Sequence, residues 1–538
     1  MNHPRKLQTV GFVCLAVLCA TAGAADIEFD YEIIGLLDAE HQYPPPSGSY
    51  NESEFVAANS AAVIGDALRV PFGDDGSGNS IWLYDGSDYR IVSLTDAEHT
   101  KTLYYDTGGV RGLLREASAR KVLLGPSGHV VGLSSRFSED DWFSRGTSAW
   151  YHDGVTRIMG FTDAEHSRPG GLRSSRINAA PNSSGWVAGA SSRYVAESGQ
   201  QTSGLTAWLY DGSTTTNISI VGEGFENPDH HTGLYRISNT LAINDAGQVL
   251  GLSTKYGLDP GGTYYQDKGD LVWLYDNGTR ILGGLTDAEH TEADGTNDSR
   301  GLFLNASGQF VGTTNRPDPN RGQSAWLHDG TNVIKLGFYD ALHTESCCGW
   351  QLSYVTALND AGQVLGYSTA FYSGDDRGNT AWVADGQTTS TIGLFDAAHT
   401  RSTDGLQSNT GVKLNEAGNV VGSAQRFNAA GDYIGVSLWL YDGSSAQSIS
   451  PTAPVLIRDT DGFSSSYVSF LNEASQATGT ASRYGTGGTY LGQAVWVFDG
   501  DQTVTLGSMS QDTNGYAWTA VDFLSDTGVA GGYYRRYS

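Results

Sequence analysis

One feature constrains this chain more than any other: an apolar, tryptophan-bearing run closed by an Asp-Gly turn is copied along it. The run recurs eight times, at Trp82, Trp150, Trp208, Trp273, Trp326, Trp382, Trp439 and Trp496, with spacings of 53 to 68 residues. A second signature lies between these runs. It reads Ala-Leu-Asn-Asp-Ala-Gly-Gln-Val-Leu-Gly-Tyr-Ser from Ala357 to Ser368 and is echoed from Ala242, Lys413 and Phe523. A third, Ile-Gly-Leu followed by Asp-Ala-Glu-His-Thr or a variant, closes each unit. Self-similarity on this scale means that one supersecondary unit is stacked on copies of itself.

Each copy reads as four short strands. The first ends in Leu-Asn, the second is the Gln-Val-Leu-Gly run, the third carries the tryptophan and the fourth is Thr-Ile-Gly-Leu. Asn-Asp-Ala-Gly suits a type I turn with glycine at positive φ, and Asp-Gly is a two-residue hairpin signal. The 70 glycines fit a chain of tight turns. A helical repeat would show a 3.6-residue period, which is absent. The expected fold is therefore all-β, a β-propeller of four-stranded antiparallel blades with eight complete units and a partial ninth. Strand counting bears on closure: the chain opens on a lone fourth strand, Tyr31 to Leu37, and ends on a lone first and second strand, Ala520 to Tyr534. The opening strand is expected to complete the last blade, with eight closed blades plus extra edge strands as the rival arrangement. Residues 25–538 form one repeat domain on this reading.

With Asn359 to Gly366 and Trp382 as the clearest instance, the pairing of these signatures resembles the bacterial extracellular HAF-repeat proteins over nearly all of the chain. Ser-Ala-Trp or Thr-Ala-Trp stands where that family often has His-Ala-Phe. The resemblance implies export and a repeat fold, and it carries no catalytic residue to transfer.

Arg5 and Lys6, an apolar run from Val10 to Ala20 and small residues ending at Ala24 read as a secretory signal covering residues 1–24. The expected location is secreted or extracellular, with the periplasm as the variant. The apolar run is too short to span a bilayer and no later segment approaches the length needed, so no membrane span is expected. Beyond the leader only Cys347 and Cys348 remain, either as a vicinal disulfide or as two thiols, so buried apolar surface must supply the stability. The formal charge of −27 excludes a phosphate-binding surface and with it a nucleic-acid partner.

Turn parity puts the Asn-Asp-Ala-Gly and Asp-Gly turns at one end of the blades. The longer connections and the Asp-Ala-Glu-His segments fall at the other. Irregular connections held on a rigid scaffold are where binding resides, for example from Arg136 to Phe143, Tyr256 to Lys268 and Phe371 to Arg377. The sharpest motif there is Asp96-Glu98-His99, Asp163-Glu165-His166 and Asp287-Glu289-His290, also present at Asp38 to His41. Relaxed copies at Asp340 to His343 and Asp396 to His399 lack the Glu. Carboxylate and imidazole together offer ligands for calcium or another divalent metal. The structural alternative has Asp capping a turn and His bonding to the adjoining blade, with Glu dispensable. Two units replace the motif, by Pro228 to His231 and by Arg458 to Asp461, and a unique site is best sought beside them. The repeated tryptophans read as core between blades, while Trp142 and Trp350 fall in loops and are the stacking candidates. No phosphate loop, nucleophile elbow or zinc helix is present, and no cofactor is expected apart from such a metal. The expected function is non-catalytic binding of an extracellular glycan, ligand or surface protein. The alternatives are a polysaccharide-acting enzyme with scattered carboxylates and a structural envelope component.

Overall fold

The computed structural model describes residues 14–16, 53–58, 62–68, 78–107, 110–137, 144–168, 170–194, 202–230, 234–319, 321–372, 377–506 and 511–534. Regular structure among them is strand apart from two three-residue 3-10 turns. The chain is all-β and of the β-propeller class, built from four-stranded antiparallel blades. Blades one to eight cover residues 53–91, 119–159, 173–217, 236–283, 299–336, 351–391, 409–448 and 466–505, and a partial ninth covers 517–534. Contacts divide the chain into two compact units, the first holding blades one to four with residues 293–301 and the second holding residues 284–292 and everything from 302 onward, together with residues 12–32.

Blade six shows why these residues form this element. Its strands are Gln351–Leu358, Gln363–Phe371, Arg377–Asp385 and Thr388–Thr391, each antiparallel to the next. Gly366 pairs with Trp382 across strands two and three. A Cβ on Gly366 would lie 2.3 Å from the Trp382 ring. The same glycine faces the same indole at Gly132 and Trp150, Gly189 and Trp208, Gly251 and Trp273, and Gly422 and Trp439. The glycine of the second signature is thus the socket of the first signature's tryptophan.

Each indole seals a junction. Trp150 packs on Ile64, Ile81 and Val92 of blade one, Trp382 on Val311 and Leu327 of blade five, and Trp496 on Val421 and Leu440 of blade seven. All eight tryptophans are essentially fully buried. Blades therefore lack independent cores, and truncating one such side chain costs on the order of 3 to 5 kcal/mol.

A second glycine, four residues before each tryptophan, lets neighbouring blades touch. Gly204 and Gly322 start strand three and pair in parallel with Arg236 and Gln351 of the following blade. Both have positive φ, and a Cβ would fall within 2.0 Å of the carbonyl opposite. Spacing alone did not reveal this requirement, because it is set by the next blade.

The chain departs from expectation in three places. Thr100–Thr107 forms an extra hairpin with the start of Val110–Leu124, directly after the Asp96 to His99 turn; an Asp-Thr-Gly-Gly stretch was the available signal. The stretch from Tyr256 to Lys268, expected as a loop, is mostly strand, with Tyr256 opposite Asp267 and Leu258 opposite Tyr265. In the partial blade Ala517–Leu524 and Ala530–Tyr534 pair as expected, and Cys14–Ala16, inside the stretch read as a leader, pairs with the outer edge. Tyr31 to Leu37 lies outside the described residues. An unpaired edge of backbone N–H and C=O groups accepts any extended segment within reach.

Candidate functional site at the loop ends of the blades

The turn end of the blades is a staple. Asn359 caps its own turn, accepting from the Gln363 amide at 2.8 Å. Its Nδ2 donates to the Asn415 carbonyl of the next blade at 3.1 Å. Asn415 does the same to Asn472, and Asn472 to Ser525. The following acid closes a second bond: the Asp360 amide donates to Glu416 and the Glu416 amide to Glu473. Asn182 with Asn244, and Ser183 with Asp245, repeat the pattern in the first unit. What reads in one copy as turn chemistry is therefore also a bond between blades.

At the loop end the Asp-Ala-Glu-His segment makes its own crossing. In each described copy the His Nδ1 lies 2.7 to 2.8 Å from the Asp Oδ1, for His99, His166, His290, His343 and His399. Because the carboxylate only accepts, Nδ1 carries the hydrogen and Nε2 is an acceptor. That nitrogen meets a hydroxyl two residues before the next blade's tryptophan: Ser148, Thr206, Ser324, Thr380 and Ser437 at 2.8 to 2.9 Å. Burial, the largest cause, depresses the pKa of His99 and His290 below the usual histidine value, and the adjacent Asp only partly offsets it.

The Glu of the motif is not idle. Glu165 accepts from Arg193 at 2.7 Å and from Arg236 of the following blade at 3.2 Å. Glu98 holds Arg136 and Arg173, and Glu289 holds Arg316 and Lys335. The arginine side chains on strand two are buried, 5% exposed for Arg193. Arg193 also donates to the Ser203 and Leu234 carbonyls. Where the motif carries Leu342 in place of Glu, the arginine position is Ala370. In these three copies the Glu neutralises a strand-two guanidinium, whereas the Ala398 copy keeps Arg426, which donates to Ser464, so the Glu is not required at every turn. The turn itself persists without it because the backbone is tied independently, with the Tyr194 amide on the Glu165 carbonyl and the Phe371 amide on the Leu342 carbonyl.

Asp287, Glu289 and His290 have ligand atoms within 4.8 Å of one another, as do Glu345, Cys347 and Cys348. In the first trio both imidazole nitrogens and the Glu289 carboxylate are already bonded. A divalent ion would have to displace Ser324 and Lys335, so the donor set does not present itself to a metal. Asp96, Glu98, His99, Asp163, Glu165 and His166 carry the same bonds. Cys347 and Cys348 form a vicinal disulfide. Trp350 sits half-buried just before strand one of blade six, and Trp142 lies outside the described residues.

Two loop-end features escaped the sequence reading. The first is aromatic. Phe427, Tyr433, Phe463, Tyr484, Tyr490 and Tyr516 form a continuous row, with successive centroids 6.0 to 6.4 Å apart and rings crossed at 65 to 88°. A signal existed: an aromatic stands five residues after the strand-two glycine at Phe137, Tyr194, Tyr256, Phe371, Phe427 and Tyr484. The second lies beside Pro228 to His231, the irregular unit. There Lys255 replaces the strand-two arginine, and burial lowers its pKa. Asp270 accepts from Thr254 at 2.7 Å, and its pKa is raised by burial and by Asp298 and Asp267 nearby.

No helix among the described residues is long and apolar enough to cross a membrane. No family model and no curated protein matches the sequence. Among solved structures the chain is similar to the β-propeller domain of the Trilobed protease from Pyrococcus furiosus, with 10% identity, 74% of this chain and 96% of that one covered and a TM-score of 0.31. Acylaminoacyl peptidase of Pyrococcus horikoshii gives 11% identity, 85% and 52% coverage and a TM-score of 0.31. The six-bladed Aleuria aurantia lectin gives 12%, 62% and 94%, and 0.23. At these scores the likeness carries no inference about what the chain does.

Proposed function

We propose that this chain is a secreted, non-catalytic repeat protein that binds an extracellular glycan or protein at the loop ends of its blades. One observation carries the reading: beside the recurring Asp and His turns, the loop ends carry connections of unequal length and sequence that expose large aromatic side chains. Tyr264, Tyr433, Tyr467 and Tyr490 are each about half exposed or more, at 55, 51, 64 and 47%. Rigid aromatic side chains presented by a scaffold are suited to recognition because little side-chain entropy is lost on contact. The test is a glycan array with the mature protein, repeated with alanine at these tyrosines. Binding that survives all four substitutions would place the ligand elsewhere.

A second reading, an enzyme acting on polysaccharide, is favoured by the Lys255, Asp270 and Asp298 group. A raised carboxyl beside a lowered amine at one loop end is the pattern of an acid and base pair. Reducing-end release from soluble polysaccharides, abolished by Asp270→Asn, would support it. Wild-type protein that binds such polymers without cleaving them would eliminate it.

A further inference from the structure

Resting on the binding reading, we propose that the loop ends of blades seven and eight form a stacking site for a neutral, extended glycan, with Tyr433 and Tyr490 as its contact rings. Tyr433 and Tyr490 are repeat equivalents, each two residues before the glycine that starts the inter-blade contact in strand three, Gly435 and Gly492. They therefore offer one blade's advance between two like surfaces. Phe463 and Tyr484 link Tyr433 to Tyr490 ring by ring, so these two exposed rings belong to one row.

The row beneath holds them in place. Tyr433 is crossed by Phe427 and Phe463, and Tyr490 by Tyr484 and Tyr516, at interplanar angles of 65 to 77°. Edge-to-face pairs of this kind are each worth about 0.5 to 1.5 kcal/mol, so the exposed faces are fixed before any ligand arrives. Arg458 lies over Phe463 at 4.5 Å and is paired with Asp461 at 2.5 Å. The same Arg and Asp pair stands at Arg401 and Asp404 in the preceding connection, after an intact Asp396 to His399 turn, so Arg458 to Asp461 is not what replaces that turn, contrary to the sequence expectation; Ala453 to Leu456 occupies its place.

The chemistry of the surround selects the ligand. A pyranose presents an apolar C–H face and a rim of hydroxyls, which matches phenol rings flanked by carboxylates and amides. Asp432 and Asn428 stand at the Tyr433 hairpin, and Asp459 bonds the Gly487 amide beside Tyr490. The nearby cations are engaged: Arg458 with Asp461, Arg426 with Ser464, and Arg483 with the Leu491 and Gly515 carbonyls. A polyanionic sugar would meet the acids and no matching guanidinium. An apolar peptide would leave the phenols and carboxylates without partners.

The test is affinity gel electrophoresis of the full mature chain in gels containing hydroxyethylcellulose, laminarin, galactomannan or polygalacturonate. The expected result is retardation by at least one neutral polymer and none by polygalacturonate. Y433A/Y490A should weaken that retardation about tenfold or more and, having lost four ring pairs, should melt lower while remaining folded at the temperature of the gel; Y433F/Y490F should keep most of the retardation and a melting temperature near wild type. Retardation of Y433A/Y490A equal to wild type overturns the site while leaving glycan binding standing. Retardation by polygalacturonate alone overturns the neutral class. No retardation by any polymer overturns both this site and the glycan branch of the binding reading.

Discussion

At the turn end of blades six to eight, Asn359, Asn415 and Asn472 hand the same hydrogen bond from blade to blade, and an acid in the next position repeats a second one. At the loop end of the same blades the bonds are heterogeneous: His399 meets Ser437 at one junction, whereas at the next Ala453 to Leu456 takes the place of the His turn and Ala494 that of the serine, with only the Arg and Asp pair kept, as Arg401 with Asp404 and Arg458 with Asp461. The difference teaches where this architecture tolerates change. The Asn to carbonyl bond recurs at Asn182, Asn305, Asn359, Asn415 and Asn472, with Gly125 in its place in blade two, while the bonds at the long connections are exchanged more freely from one junction to the next.

The largest effect that could break this comparison lies between the two ends, in the socket that both depend on. Gly366→Val should fail to admit the Trp382 indole and destabilise the protein by about 3 kcal/mol or more, read as a lowered urea midpoint in the second unit. A neutral result would mean that the indole has another seat. Next, Asn415→Ala removes one inter-blade donor and one turn acceptor and should cost about 1 to 3 kcal/mol. It should leave polysaccharide retardation unchanged; a loss of retardation with an unaltered melting temperature would erase the division of labour between the ends.

A double-mutant cycle sharpens the loop-end side. Glu165→Ala should cost about 1 to 2 kcal/mol, because the buried Arg193 keeps its carbonyl acceptors but loses its counter-charge. The pair E165L/R193A copies the natural combination of Leu342 with Ala370 and should recover part of that loss. If the double variant is as unstable as the sum of the singles, the two positions are not coupled.

Acid should weaken the loop end as well. Burial holds His99 and His290 below the ordinary histidine pKa, so the unfolded chain binds protons that the folded one refuses, and stability falls as pH drops below that ordinary value. For Asp163 burial opposes ionisation, but hydrogen bonds from His166 outweigh it and the pKa is lowered. Its contribution is present above the usual carboxylate range and is lost as pH falls through the lowered value. Melting temperatures measured from pH 8 to pH 3 should decline in that order, and H99Q/H290Q should flatten the first part. The smallest expected effect is that of a chelator: melting temperature should not move, since the imidazole nitrogens are committed to Asp and Ser. A drop that calcium or zinc reverses would show that the Asp287 to His290 turns open to a metal.

Much of the blade was legible in the sequence because it is local. The four strands, the Asn-Asp-Ala-Gly and Asp-Gly turns and the apolar tryptophan run follow from period-two patterning and turn chemistry within some twenty residues. Eight complete copies and a two-stranded remainder can be counted in the sequence itself. The aromatic row was less legible. Its members stand in different parts of the repeat, and a ring becomes part of a surface only when strand ends from adjacent blades are brought side by side.

What the sequence by itself determined is the repeat unit and its four-stranded meander, since hydrogen-bond period and turn geometry depend on near neighbours. Only the tertiary structure decided what the repeated polar residues are for. By residue type alone Asn359 is equally suited to forming a turn, Glu165 to binding a metal and Gly322 to serving as a flexible link. Their partners, the Asn415 carbonyl, Arg193 and the Gln351 backbone, lie 56, 28 and 29 residues away. At such separations residue type records what bonds a side chain can make, and stacking of the blades selects which of them it does make.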